Sequence, residues 1–415
     1  MHKTIAVLAT LDTKGQESGY LREQIELLGD SALLIDMGVI GEPETRADIS
    51  RREVAAAGGT PLEDLLKNPI RQQAAPVMVD GAIRIINGLI HEGKIHAILC
   101  LGGTQGTTNG SRVLQALPYG FPKIMVSTMA SGDTAPFVGI KDITMMFSVS
   151  DILGLNSFTR RILANAAGAA CGMARIEQPV TSEKKDRPLI GMTNLGVLTK
   201  GTMIALDLFR KAGYEVIVFH AIGSGGRAME QMMKEGIIGA VFDYALGEIS
   251  DELFHGLRAS GPERLTVAGK LGIPQVICPG GTEHLGLIVP PNEVPEQYRG
   301  HKYTFHTPII LAPRLKGDEM VRVAKEITAR LAATKNRAYF ILPTKGVSRY
   351  SAPGMVLEDP ESDAAFFNEI RSSLPENIQL IERETHAEDP AFVGEAVELL
   401  ISLIEVKRRK KGKRP

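Results

Sequence analysis

The apolar positions of this chain fall into short, nearly unbroken runs, separated by longer stretches in which apolar residues recur at helical spacing. Residues 5–11, 32–35, 97–101, 189–192, 216–219 and 337–342 are such runs, and their lack of alternation predicts strands buried on both faces, hence mainly parallel sheets covered by helices. Helices are expected over 16–28, 78–93, 157–174, 202–212, 227–235, 318–334 and 390–407. The order of elements repeats. The first run leads into Asp12-Thr13-Lys14-Gly15 and a break at Gly29, while the run at 189 leads to Thr199-Lys200-Gly201 and a break at Gly213. Gly93 precedes HAILC and the loop Gly102-Gly103-Thr104, as Gly236 precedes GAVFDYA and Leu246-Gly247. Phe121-Pro122-Lys123 and Ile273-Pro274-Gln275 each precede a strand and a glycine-bearing loop. Three agreements in order predict an α/β chain of two Rossmann-like three-layer domains with mainly parallel sheets, related by internal duplication, with binding chemistry on loops at the strand ends.

A length of 415 residues suits two such domains. The expected boundaries are 1–182 for the N-terminal domain, 188–406 for the C-terminal domain and 407–415 for a basic disordered tail, with a polar, proline-bounded linker over 178–187. A formal net charge of -1 gives no reason to expect a nucleic-acid partner, and 5% aromatic residues argue against a stacking surface for single strands. No apolar stretch reaches the length of a membrane span and no signal peptide precedes the first strand, so a cytoplasmic location without membrane contact is expected. Cys100, Cys171 and Cys278 form no metal or redox spacing and are expected as buried free thiols.

The strongest site candidate is Cys100 to Gly110, CLGGTQGTTNG, directly after a strand. Its glycines let successive N–H groups turn inward at Gly102, Gly103 and Gly106, Thr104 and Thr107 add hydroxyls, and a helix starting near Ser111 would present its amino end to the same space. The pattern predicts a phosphate cradle without a Walker motif, since GxxxxGK[ST] does not occur. Asp12, Thr13, Lys14 and Gly15 share that sheet edge, with Lys14 as a point charge for phosphate and Asp12 as a magnesium ligand. Gly132, Asp133 and Thr134 follow the next strand, and Asp133 is an alternative magnesium ligand. Asp36 ends the second strand where a ribose-binding carboxylate stands in dinucleotide folds.

In the second half, Gly223-Ser224-Gly225-Gly226-Arg227-Ala228 matches GxGxxA and Asp243 follows about 20 residues on. The duplication places this match after the second strand of its domain, whereas a dinucleotide fingerprint belongs after the first; anion binding remains open to it. His220, at a strand end, is an acid/base candidate, and PGGTEH presents Glu283 beside His284. Glu230 and Glu248 are further polar candidates there. No nucleophile elbow accompanies them.

LATLDTKGQE, LIDMGVIGEP, the DIS at 48–50, EVAAAGG, LGGTQGTTNG, STMASGDT, FHAIGSGGRAME and CPGGTEH together resemble the ATP-binding family typified by the N-terminal region of the tomato tobamovirus-resistance protein, over nearly all of residues 1–405. Many bacterial and fungal members of that family are known only as uncharacterised proteins. The resemblance implies ATP in the first domain, contacted by Gly103, Thr104, Gly106 and Thr107 with the loops 12–15 and 132–134, and a homodimer. The plant member carries a downstream barrel domain that this chain lacks, so no antiviral or RNA-directed function is implied. The expectation is an ATP-binding protein, with magnesium and with a small anionic ligand in the second domain. Whether it is an enzyme stays open between phosphoryl transfer, non-catalytic nucleotide-regulated interaction, and a nicotinamide-dependent oxidoreductase resting on Gly223 to Ala228.

Overall fold

Strand β1 (Thr4–Ala9) sends Ile5, Val7 and Ala9 into one apolar layer and Ala6 and Leu8 into another, which is why its sequence does not alternate. In the computed structural model, which describes residues 2–67, 70–178 and 187–412, the chain forms two compact units, Met1–Val180 and Thr181–Pro415. The linker expected over 178–187 lies almost wholly outside the described residues.

The first unit continues through α1 (Leu11–Leu27), β2 (Ser31–Asp36), α2 (Arg51–Ala57), α3 (Leu62–Lys67), α4 (Arg71–His91), β3 (Ala97–Gly102), α5 (Thr104–Gln115), β4 (Lys123–Ser127), α6 (Ala135–Val138), β5 (Thr144–Phe147) and α7 (Ser157–Ala174). Its five strands are parallel in the order β2-β1-β3-β4-β5. Helices α1 and α7 cover one face, where the alanines of α7 permit close packing on Leu99, Ile124 and Val126. Helices α2, α4 and α5 cover the other with Val54, Met78, Ala82 and Val113. Helix α5 begins at Thr104, seven residues before the expected start at Ser111. The glycines that read as a loop lie inside the helix instead: a Cβ on Gly110 would stand 3.3 Å from the Cβ of Cys100, so the short side chain lets α5 press against β3.

The second unit runs β6 (Leu189–Asn194), α8 (Thr199–Lys211), β7 (Val216–His220), α9 (Ser224–Lys234), β8 (Ile238–Ala245), α10 (Gly247–Phe254), α11 (Val267–Leu271), β9 (Gln275–Gly280), β10 (Leu287–Ile288), β11 (Tyr303–Thr307), β12 (Ile310–Pro313), α12 (Gly317–Leu331), β13 (Ala338–Pro343), α13 (Pro360–Ser373), β14 (Ile378–Arg383) and α14 (Pro390–Gly412). The main sheet is parallel, β14-β13-β9-β8-β6-β7. Read in chain order, the first four strands of each unit occupy the same places, second-first-third-fourth, as expected for related doubly wound domains. Alternate residues of β13 again serve two layers, Phe340 and Leu342 facing α12 and α13, Tyr339 and Ile341 facing α8 and α14. A small antiparallel sheet, β10-β12-β11, interrupts the repeat. The tail expected to leave the fold at 407 stays helical to Gly412, because long basic side chains are good helix formers that suit a helix carboxyl end; Lys407 Nζ donates to Gly272 O at 2.9 Å. Residues 413–415 lie outside the described residues.

Candidate functional site

From β1 the chain winds to β2 on one side, and from β3 it winds to β4 on the other, so a crevice opens between β1 and β3 at their carboxyl ends. Two adjoining cavities of about 140 and 170 Å³ lie there and share Thr10, Thr13, Met37, Gln105 and Asn109 as walls. One is bounded by Lys14, Gly102, Gly103, Thr104 and Gly106; the other by Asp12, Gly38, Val39, Ala74, Ala75 and Met78. Seven of the expected residues therefore meet: Asp12, Thr13, Lys14, Gly102, Gly103, Thr104 and Gly106.

Gly103 caps α5 without any side-chain bond, and the first intrahelical bond runs from Thr107 N to Gly103 O at 2.8 Å. The N–H groups of Thr104, Gln105 and Gly106 consequently have no intrahelical acceptor and sit at the positive end of a helix dipole. These donors belong to a helix terminus rather than to the glycine nest that the sequence suggested. A Cβ on Gly102 would stand 2.7 Å from the Cα of Gly106, so that glycine permits the tight strand-to-helix turn. A Cβ on Gly103 would meet only Thr128 Oγ1, at 3.9 Å, and would project into the cavity.

Asp12 stands in the first turn of α1, its Oδ2 accepting from Gly41 N at 3.2 Å and its Oδ1 buried with no partner among the described residues. A buried carboxylate oxygen without a donor is costly unless something electropositive reaches it, which fits the magnesium expectation. Lys14 has non-helical torsions that kink α1, and its Nζ donates to Thr13 O at 3.2 Å. Arg51 pins the roof of the second cavity by donating to Val39 O at 3.3 Å and to Gly41 O.

The other expected residues stand elsewhere. Asp36 is 1% exposed, and its Oδ1 accepts from Leu11 N at 3.0 Å and Gly38 N at 2.8 Å. Burial pushes its carboxyl up, against the pull of those N–H groups and of Arg51, so Asp36 shapes the loop that carries Met37 and Gly38 and shows no face to a ribose. Thr107 is buried with its hydroxyl 2.6 Å from Ser127 Oγ. Gly15 packs on Glu44, where a Cβ would stand 2.7 Å from the Glu44 Cβ. Gly132 and Asp133 are exposed; Asp133 Oδ1 accepts from Ala135 N at 3.0 Å, and Thr134 starts α6. None of these three lines either cavity, so Asp12 is the magnesium candidate that the crevice retains. Gln105, Asn109, Met37, Ala74 and Met78 escaped sequence reasoning: Ala74 and Met78 carry the periodicity of a helix core, Met37 directly follows a buried strand, and the two amides lay in a stretch read as loop.

In the second unit the GxGxxA match follows the second strand, at the sheet edge, and two of its glycine N–H groups are taken by an internal carboxylate. Gly223 N and Gly226 N both donate to Glu248 Oε1, at 2.7 and 3.1 Å, and a Cβ on Gly226 would collide with the other oxygen of that carboxylate. Asp243, the expected ribose partner of a dinucleotide reading, takes two bonds of 2.6 Å from Arg264 and one of 2.8 Å from Thr193. Glu230 joins the same buried cluster. Three carboxylates share the guanidinium of Arg264, and burial pushes Glu230 up to about 7. Glu248 thus competes for two of the donors with the anion that the sequence left open there. The amino end of α8 is treated alike, Lys200 N donating to Glu388 Oε1 at 2.8 Å.

His220, Glu283 and His284 belong to another place in that unit. Exposed His220 and 5%-exposed His284 line one cavity, while Glu283 is fully buried behind it with Oε1 3.0 Å from His284 Nδ1 and bonded to Ser348 Oγ.

Residues 3–179 match the N-terminal domain, and residues 187–404 the C-terminal domain, of the Uncharacterised protein family (UPF0261). A UPF0261 protein of Clostridium tetani is 40% identical over 406 residues, spanning 98% of this chain and 100% of its own length. One from Brucella melitensis is 33% identical over 395 residues, 95% of this chain and 94% of its own. The ToMV susceptible protein tm-1(GCR26) of Solanum lycopersicum is 28% identical over 416 residues, 95% of this chain and 55% of the tomato protein. Among solved structures, the UDP-GlcNAc 2-epimerase of Neisseria meningitidis covers 66% of this chain and 82% of its own at 9% identity and a TM-score of 0.22, too weak a likeness to bear on function. On the family match over both units and the identity to bacterial members along nearly the whole length, the chain belongs to the UPF0261 family.

Proposed function

We propose that the first unit binds ATP with magnesium in the crevice between β1 and β3, the phosphates on the amino end of α5 and the base against Met37, Val39, Ala74, Ala75 and Met78. The observation that carries this reading is an asymmetry between the units. Helices α8 and α9 receive internal carboxylates at their amino ends, from Glu388 and Glu248, whereas α5 has no side-chain cap and opens on a cavity. An open helix amino end suits a phosphate through its free N–H groups and dipole. The resemblance of the blocks around Asp12 and Gly103 supports ATP among the possible phosphates. Lys14 would add a point charge and Asp12 Oδ1 would face the metal.

Asp12 is the carboxylate among the residues bounding the crevice, and one group cannot both hold magnesium and activate an attacking nucleophile. That favours nucleotide-controlled association, with a homodimer in the cytoplasm, over rapid turnover. Equilibrium dialysis of the full chain against ATP, NAD and inorganic phosphate tests the ligand, with ATP retained and NAD not. Light scattering with and without ATP tests association. Retention of NAD in preference to ATP would return the oxidoreductase reading; a monomer under both conditions would remove the dimer.

A further inference from the structure

A cavity of about 330 Å³ opens at the carboxyl ends of β6, β7 and β9. Leu195, Val197, Ile222, Leu257, Leu285 and Ile310 make most of its wall apolar. Its buried polar atoms converge on one spot. Glu283 Oε1, held by Ser348 Oγ, lies 3.0 Å from His284 Nδ1. Burial alone would raise the Glu283 carboxyl, but the facing His284, the charge of Arg314 and the bond from Ser348 outweigh it and keep it ionised. A carboxylate only accepts, so a neutral His284 carries its proton on Nδ1 and its lone pair on Nε2. Nε2 stands 3.5 Å from Arg258 Nη1, a group that only donates, which agrees with that tautomer. The ring of Tyr350 meets the imidazole edge-on, with centroids 5.7 Å apart, and fixes its plane.

Arg258 is oriented as firmly. Its Nε and Nη2 donate to Asp251 at 2.8 and 2.9 Å, and Nη2 also donates to His284 O at 2.6 Å. Among the described residues, Nη1 has the long contact to His284 alone. A base and a cationic donor therefore face the same point inside an apolar wall. Because Asp251 already balances the charge of Arg258, the cavity offers little to a polyanion. That departs from the anionic ligand expected for this unit. A carbonyl fits better: its oxygen accepts from Arg258 Nη1 while a hydrogen on the adjacent carbon reaches His284 Nε2. Ser348 bonds to Glu283 and not to His284, so its hydroxyl is not set as a nucleophile for that base.

We propose that this cavity is an active site, in which His284 takes a proton from the carbon beside the carbonyl of a small ketone with an apolar body, Arg258 holds the oxygen and Glu283 positions the imidazole. The C–H bond breaks and its electron pair forms a C=C bond; the carbonyl π pair moves onto oxygen, giving an enolate on Arg258. The proton resides on His284 Nε2, opposite the Glu283 carboxylate, and returns to carbon. No oxidant, reductant or co-reactant is consumed.

The test is deuterium exchange in D2O with 3-methylbutan-2-one as the probe, using the full chain without nucleotide, so the result is read independently of the proposed ATP site. Proton NMR should show loss of the α-hydrogen signals well above buffer, with the rate falling about 10²–10⁴-fold in His284→Gln. Leu257→Trp places a ring in the cavity from its 46%-exposed rim position and should abolish exchange while leaving the dyad intact, which guards against a His284 variant that fails to fold. Glu283→Gln removes the charge that stabilises the imidazolium, so the acid limb of the rate profile should move to lower pH, a shift that a merely structural role would not produce. No exchange by the folded wild-type chain, exchange undiminished in both His284→Gln and Leu257→Trp, or hydrolysis of p-nitrophenyl isobutyrate without exchange would each overturn the proposal.

Discussion

Three neighbouring glycines at the end of β3 should respond differently to the same added methyl group, because their Cβ positions face different things. On Gly102 the methyl carbon would lie 2.7 Å from the Cα of Gly106, a backbone atom that cannot give way. Overpacking of that kind costs about 1–3 kcal/mol, or a Tm loss of roughly 2–12 °C for a unit of this size. On Gly106 it would lie 3.4 Å from Leu101 O, an ordinary contact, and replacing a helical glycine by alanine contributes about 0.5–1 kcal/mol of stability. On Gly103, whose φ of -74° suits any residue, it enters the cavity beside the free N–H groups of α5. Gly103→Val should therefore leave Tm within about 2 °C, since nothing in the fold is displaced. It should cost the phosphate about one charge-assisted hydrogen bond, about 1.5–3 kcal/mol, which is roughly 10- to 150-fold in Kd. Gly106→Ala should keep ATP affinity within about threefold, because the N–H donors remain in place. Scanning calorimetry and ATP titration of the three variants separate these outcomes. ATP affinity unchanged in Gly103→Val, or lost in Gly106→Ala at unaltered Tm, would refute the placement of the phosphates.

Arg264 is fully buried and contacts Asp243 and Glu248 at 2.6 Å, so Arg264→Met strands buried carboxylates and should cost about 3–5 kcal/mol in urea unfolding; a loss under about 1 kcal/mol contradicts that account. Burial holds Glu230 at about 7 in the folded chain, above its unfolded value, so its contribution is complete at low pH and declines as pH rises through 7. The stability of Glu230→Gln relative to wild type should therefore improve from pH 5.5 to 8, and an opposite trend in urea midpoints contradicts the assignment. Burial pushes the thiols of Cys100 and Cys278 well up and that of Cys171 to about 12. The native chain should thus react with Ellman's reagent only on unfolding, and rapid labelling of the native protein would show that a thiol is reachable.

The central parallel strands were legible because residues such as Ile5, Ala6 and Val7, or Phe340 and Ile341, serve two layers at once and leave an unbroken apolar run. Strands β5, β10, β11 and β12 were not, since they are short and carry exposed positions such as Phe147, Ile288 and Tyr303. The small antiparallel sheet matters, for it brings His306, Ile310 and Ala312 to the cavity around His284. At the first unit, the glycine and threonine stretch singled out in the sequence does border the crevice between β1 and β3. The helix start could not be read there, because glycines in α5 are tolerated for packing that only the fold reveals. The GxGxxA match shows the converse: its local pattern survives, yet Glu248, 22 residues beyond Gly226, occupies its N–H groups, and no local signal announces that. His284 and Arg258 are likewise 26 residues apart and meet through β9 and the loop after α10.

The measurement that bears most directly on the account is calorimetric titration of the full-length protein with ATP, with and without magnesium, followed by an assay of the same samples for ADP. The account predicts saturable binding at one site per chain, weakened by Asp12→Asn when magnesium is present, with slow or no ADP release. Folded protein that takes up no ATP under either condition would contradict it.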